Sequence, residues 1–87
     1  LLESREQYDL VLLDLFSHDG NPLLLFQAPI YQALARCLHG TLIVNLLPRT
    51  HLELAQAKRL AEEWIGPTSA HGVPGYRNVI LHATNLA

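Results

Sequence analysis

The spacing of hydrophobic and polar positions changes along the chain, and those changes divide it into elements. From Leu10 to Leu15 the only polar residue is Asp14, the pattern of a short strand with apolar side chains on both faces, as in a parallel sheet. Ser17 to Pro22 is a polar turn built around Asp19-Gly20. The segment Pro29 to His39 places Ile30, Ala33, Leu34, Cys37 and Leu38 on one helical stripe, with Pro29 suited to the first helical position and Gly40 to the residue just past the end. Thr41 to Leu47, rich in leucine and β-branched residues, predicts a second strand that Pro48 stops. In the helix expected next, Thr50 and Glu53 have capping-box spacing, Ala57, Leu60, Ala61 and Trp64 mark a buried stripe, and Gly66-Pro67 ends it. Thr68 to Tyr76 is turn-rich with room for a short strand, and Asn78 to Ala83 predicts a last strand.

Strands alternating with helices of this length imply right-handed βαβ crossovers and an α/β fold: an open, mostly parallel sheet with helices packed on it. Only a few residues, Gly72 to Tyr76, join the last two strands, which are therefore expected to form an antiparallel hairpin at one edge. A doubly wound sheet has about five or six strands, so the three or four legible here predict a partial one. The 87 residues suffice for a single small domain, burying roughly 60–65% of the surface of its unfolded chain.

Composition narrows the functional classes. A formal net charge of -2 lacks the basic surplus of a nucleic-acid binder. The longest apolar runs, Leu10 to Leu13 and Leu23 to Phe26, fall far short of the ~20 residues of a membrane helix, so neither nucleic acid nor membrane is an expected partner. Cys37 is the only cysteine, which excludes an internal disulfide and points to the cytoplasm. The chain contains no methionine, which predicts a processed chain or a piece of a longer one.

Open α/β sheets bind ligands beyond the carboxyl ends of their strands, and Asp14 lies at such an end. A partly buried carboxylate there, followed by a loop with Asp19, is placed to meet a cationic or hydroxylated ligand and to exchange a proton with it. The alternative is a structural one, in which Asp14 accepts backbone hydrogen bonds and Asp19-Gly20 is an ordinary turn. His18, His39, His51, His71 and His82 show no metal-ligand spacing, and Cys37 lacks a Cys-x-x-Cys partner, so no metal site is expected. Ser17 has no arranged histidine and acid for a hydrolase triad. Cys37 and Trp64 read as core residues, and Glu62-Glu63 as a solvated face.

The stretch YDLVLLDLFSHDGNPLLLFQAPIYQALARCL resembles the middle of the polyamine aminopropyltransferases, the spermidine synthases and their relatives. In that family a Tyr-Asp pair opens a strand that ends in Asp-x-x-Asp-Pro-x-Gly-Pro, and a Leu-Phe pair leads into a helix with an aromatic residue. Tyr8-Asp9, Asp14, Gly20, Leu25-Phe26 and Tyr31 take those places here, and the likeness continues through GTLIVNLLP and GVPGYRNVILHAT. The resemblance implies a Rossmann-like, methyltransferase-type fold. It also implies a catalytic Asp14 that deprotonates and orients the amine attacking the aminopropyl group of decarboxylated S-adenosylmethionine. Pro22 and Leu23 would then pack against the adenine, and Ser17 and Asp19 would bind the substrate amine. Ser17 stands where the family has its second acid, with Asp19 two residues on to compensate, and Val73 where it often has an aromatic. Both departures bring the chain closer to the spermidine-synthase-like proteins than to the putrescine-specific enzymes.

The family's glycine-rich loop and ribose-gripping acid have no counterpart, since no Gly-x-Gly occurs in the chain. The whole chain, 1–87, is therefore expected to be one partial domain, the C-terminal half of such a transferase. By itself it should bind no cofactor, the parent taking decarboxylated S-adenosylmethionine or S-adenosylmethionine as donor. Two alternatives stand beside aminopropyl transfer: methyl transfer to an amine, and a non-catalytic binding or assembly module of the same fold. The expected partners are the remainder of the parent domain, a small-molecule amine for the parent and, for the chain by itself, a second copy in a homodimer paired through the bare edge of its first strand.

Overall fold

The computed structural model describes residues 6–16 and 21–85. Strand β1 (Tyr8–Leu13) is followed by a 3₁₀ turn (Leu23–Phe26), helix α1 (Ala28–Cys37), strand β2 (Leu38–Leu46), helix α2 (His51–Trp64), and strands β3 (Thr68–Gly72) and β4 (Val79–Thr84). The sheet order is β1-β2-β4-β3: β1 and β2 are parallel, and β4 runs antiparallel to both its neighbours. The expected terminal hairpin is present, but β4 inserts between β2 and β3, so only β3 reaches the edge. The sheet is accordingly mixed, with its parallel pairing confined to the β1–β2 crossover.

Both helices cover the same face. Val11 and Leu13 of β1, Leu42, Val44 and Leu46 of β2, and Leu81 and Ala83 of β4 share one core with Leu34 of α1 and Ala57, Leu60 and Ala61 of α2. The intervening residues point to the other face, where Leu10 and Leu12 are 59% and 63% exposed. The apolar run of β1 matches a strand meant for cover on both sides, yet among the described residues only one side is covered. The strand also starts and stops earlier than its apolar run, leaving Leu15 beyond its end and exposed.

Gly40 differs most from its expected role. It does not follow a helix: α1 stops at Cys37 and the chain passes directly into β2. There Gly40 has a φ of +150°, and a Cβ on it would collide with the Asp9 carbonyl oxygen. The β1–β2 register slips between Tyr8 and Leu10 at this point, so the glycine lets two backbones approach at a bulge. The same end of the sheet is closed by Asn85, whose N–H donates to the Gly40 carbonyl at 2.7 Å and whose side-chain amide donates to the Leu38 carbonyl at 2.6 Å.

Helix α2 begins as its spacing predicts: the Glu53 N–H donates to Thr50 Oγ1 at 3.1 Å. The Glu53 carboxylate reaches back to the Arg49 N–H at 2.8 Å and to its guanidinium at 3.0 Å, and these bonds hold its carboxyl below the ordinary range. Glu62 and Glu63 are exposed and pair with Lys58 and Arg59 one turn earlier. Trp64, expected in the core, is 38% exposed. Ile65, the C-cap residue just past the helix, takes the buried place at this end, although Trp64 shares the helical stripe of Ala57, Leu60 and Ala61. Cys37 is buried as expected.

Tyr31 is fully buried, and its hydroxyl donates to the Leu25 carbonyl at 2.7 Å, tying α1 to the 3₁₀ turn. Burial pushes its phenol well above the ordinary value. The fold therefore favours the neutral phenol; that stabilisation is complete below the unfolded-state pKa of about 10 and is lost progressively as pH rises above it. Tyr31→Phe should cost about 1 kcal/mol at neutral pH and flatten the alkaline fall in stability, as urea unfolding on either side of about pH 10 would show; an unchanged alkaline slope would contradict this. Gly40→Ala should cost at least about 2 kcal/mol through strain and the contact with Asp9, read from the urea midpoint, and a neutral substitution would mean that the bulge opens freely.

Candidate functional site

The carboxyl ends of β1 and β2 and the start of β4 meet at one end of the sheet, because Leu46 of β2 pairs with Val79 of β4 while β1 runs parallel to β2. The polar residues of this end are joined. The Asn78 amide donates to Asn45 Oδ1 at 3.1 Å, and the Asn45 amide donates to Asp14 Oδ1 at 3.2 Å. Asp14 follows the last residue of β1 and is exposed, not partly buried as the chain pattern suggested. The reason is the uncovered face, which leaves nothing over the end of β1. Its carboxylate is thus held at a defined place by one amide while the rest of it remains open to a ligand.

Asn21 carries the loop that follows. It is the one buried polar side chain among the described residues, 6% exposed, and it bridges two strand ends. Its amide donates to the Leu15 carbonyl at 2.8 Å and, at longer range, to the Asn45 carbonyl at 3.4 Å, and its Oδ1 accepts the Leu47 N–H. Leaving such a group without partners costs roughly 1–3 kcal/mol, so Asn21 fixes the spacing of the two strand ends behind Asp14. Sequence reasoning passed over Asn21, Asn45 and Asn78. The available signal was an asparagine in the turn after the first expected strand, one inside the second and one opening the last, but asparagines near turns are common and the pattern singles out none of them.

The remaining expected site residues divide in two. Ser17 and Asp19, the proposed amine-binding residues, lie outside the described residues, as do His18 and Gly20. Pro22 is half-buried and caps the 3₁₀ turn, and Leu23 on that turn is 66% exposed. Leu15, Phe16 and Leu24 are exposed as well. Asp14 is therefore followed in the chain by apolar side chains available to a flat, apolar ligand surface. Tyr31, the aromatic of the resemblance, belongs to the core.

Other clusters offer less. Among the described residues no group of three or more His, Cys, Asp or Glu side chains could hold a metal ion. Ser69 Oγ and His71 Nε2 lie 3.0 Å apart on β3, but both are on an edge strand and among the described residues no carboxylate orients the ring, so the third member of a nucleophilic triad is not among them. Among the described residues no helix is long and apolar enough to cross a membrane.

Compared with known proteins, the chain matches no family model and no curated sequence. Among solved structures it is similar to human methyltransferase-like protein 13, whose structure is in complex with SAH. The two superpose with a TM-score of 0.83 at 20% identity, over 95% of this chain and 40% of the other. The chain thus spans well under half the length of that neighbour. At this identity the likeness is one of fold, and the α/β architecture built here from β1 to β4 is that of a methyltransferase-type, Rossmann-like domain.

Proposed function

We propose that the chain is the acceptor-side half of an S-adenosylmethionine-dependent transferase, and that the complete domain transfers a methyl group to an acceptor held beside Asp14. The observation that carries this reading is the fold shared with a methyltransferase-like protein in complex with SAH. Support from the chain itself is the fixed carboxylate at the carboxyl end of β1, where open α/β sheets bind their ligands. The exposed Leu23 and half-buried Pro22 suit the face of an adenine, while the glycine-rich grip on the rest of a donor is not among these 87 residues. When bound, the adenosyl sulfonium supplies an activated carbon. The role of Asp14 is to accept a hydrogen bond from the acceptor's N–H or O–H and take up its proton, and Asn45 holds the carboxylate in place for that step.

Aminopropyl transfer from decarboxylated S-adenosylmethionine, the spermidine-synthase-like reading, rests on the sequence resemblance carried by Tyr8-Asp9, Asp14, Gly20, Leu25-Phe26 and Tyr31 and by GTLIVNLLP and GVPGYRNVILHAT. Methyl transfer has the stronger support because the structural neighbour is in complex with SAH.

Calorimetry on a complete protein carrying this half separates the readings. Tighter binding of SAH than of methylthioadenosine is expected; the reverse order would favour aminopropyl transfer, and no heat from either at millimolar concentration would favour a non-catalytic assembly module. In the same protein Asp14→Asn should lower turnover by about 100-fold or more with an unchanged circular dichroism spectrum. Undiminished product formation would remove Asp14 from the chemistry.

The uncovered sheet face and the free edge of β1 lead to a second proposal, about partners. In the complete domain we infer that the remainder of the transferase covers Leu10 and Leu12 and pairs with β1. For the 87-residue chain alone, a second copy does so, because an apolar strand with a bare edge templates another strand. Sedimentation at micromolar concentration should show a dimer that Leu12→Lys dissociates. A monodisperse monomer that unfolds cooperatively would refute the inference.

A further inference from the structure

A groove of about 310 Å³ opens at the same end of the sheet as Asp14, between the first turn of α2 and the start of β4. Its floor is apolar, formed by Pro48, Leu54 and Val79, and its rim carries Arg49, His51 and Arg77. The cationic side chains differ in what they have left to offer. The Arg49 guanidinium is already bound to the Glu53 carboxylate at 3.0 Å and 3.2 Å. Arg77 is exposed and makes no hydrogen bond or ion pair among the described residues. It is nevertheless not on a loose segment, because the β3–β4 turn is closed by Val73 N–H to the Asn78 carbonyl at 3.2 Å and Tyr76 N–H to the Val73 carbonyl at 3.0 Å.

We propose that this groove binds a small carboxylate with an apolar body, the body lying on Pro48, Leu54 and Val79 and the carboxylate meeting the guanidinium of Arg77. An apolar floor with a single uncommitted cation at its mouth selects for that combination. A guanidinium engages a carboxylate through two parallel N–H bonds, and the floor rewards the part of the ligand that water does not hold. The groove lies at the same end of the sheet as Asp14 but on its helix-covered side, since Val79 pairs with the buried Leu46 while Asn45, which holds Asp14, belongs to the opposite side; binding to the groove therefore does not rest on the transferase reading.

Amide resonances of the 87-residue chain, titrated with phenylacetate and with its neutral counterpart phenylacetamide, test the site without any donor. Phenylacetate should move the signals of Leu54, Arg77 and Val79 and bind about fivefold more tightly than phenylacetamide, the preference expected of a partly solvent-screened ion pair. Arg77→Gln should abolish that preference and leave distant signals in place, and Arg77→Lys should keep part of it. Equal affinity for the two probes, a preference that survives Arg77→Gln, or an absence of shifts around the groove would each overturn the proposal. These outcomes are independent of SAH binding, so a failed groove and a failed transferase reading can be told apart.

Discussion

Strand β2 is the constraint on which the molecule depends, because both of its hydrogen-bonding edges are occupied and its pairings have opposite sense. Its parallel ladder to β1 demands a crossover, which α1 supplies; its antiparallel ladder to β4 brings the end of the chain back into the middle of the sheet. Leu42, Val44 and Leu46 are fully or almost fully buried on one side of this strand. They share one core with Leu34 of α1 and with Ala57, Leu60 and Ala61 of α2. Loss of either ladder would expose the core from its centre, not from its margin.

The same strand organises the polar end. Asn45 is on β2 and belongs to the face opposite the core, where it receives a bond from Asn78 and gives one to Asp14. Three strand ends are thereby held together by side chains as well as by the ladders. Asn21 secures the rear of this arrangement, since its amide satisfies backbone groups at the ends of both β1 and β2. A carboxylate useful in proton transfer has to be fixed while remaining accessible, and this geometry provides both conditions.

The two faces of the sheet stand in contrast. One is packed under α1 and α2, with Tyr31 and Leu34 fully buried. The other leaves Leu10 and Leu12 exposed and His82 open to solvent. A parallel edge strand that is apolar on both faces and paired on one side is half of a buried environment. The proposal of a covering partner, the remainder of a domain or a second copy, rests on this uncovered face.

Local signals in the sequence were enough to determine the alternation of strands and helices, the cap at Thr50 and the position of Asp14 at a strand end. Each depends on neighbours within a few residues: the period of apolar positions, the Thr50–Glu53 spacing, the polar residue that interrupts a leucine run. Tertiary structure alone decided the rest. Gly40 read as a helix stop because glycine favours that place, but its role comes from the Asp9 backbone, which reaches it only after β1 and β2 pair. Trp64 read as core because it shares the stripe of Ala57, Leu60 and Ala61, but only the packing at the end of the helix shows that Ile65 is buried there and Trp64 exposed. Nor does local pattern show that β4 enters between β2 and β3, or that Asn21, Asn45, Asn78 and Asp14 converge. Those depend on contacts between residues far apart in the chain, and a hydrogen bond joining Asn45 to Asp14 across 31 positions leaves no periodicity from which it could be read.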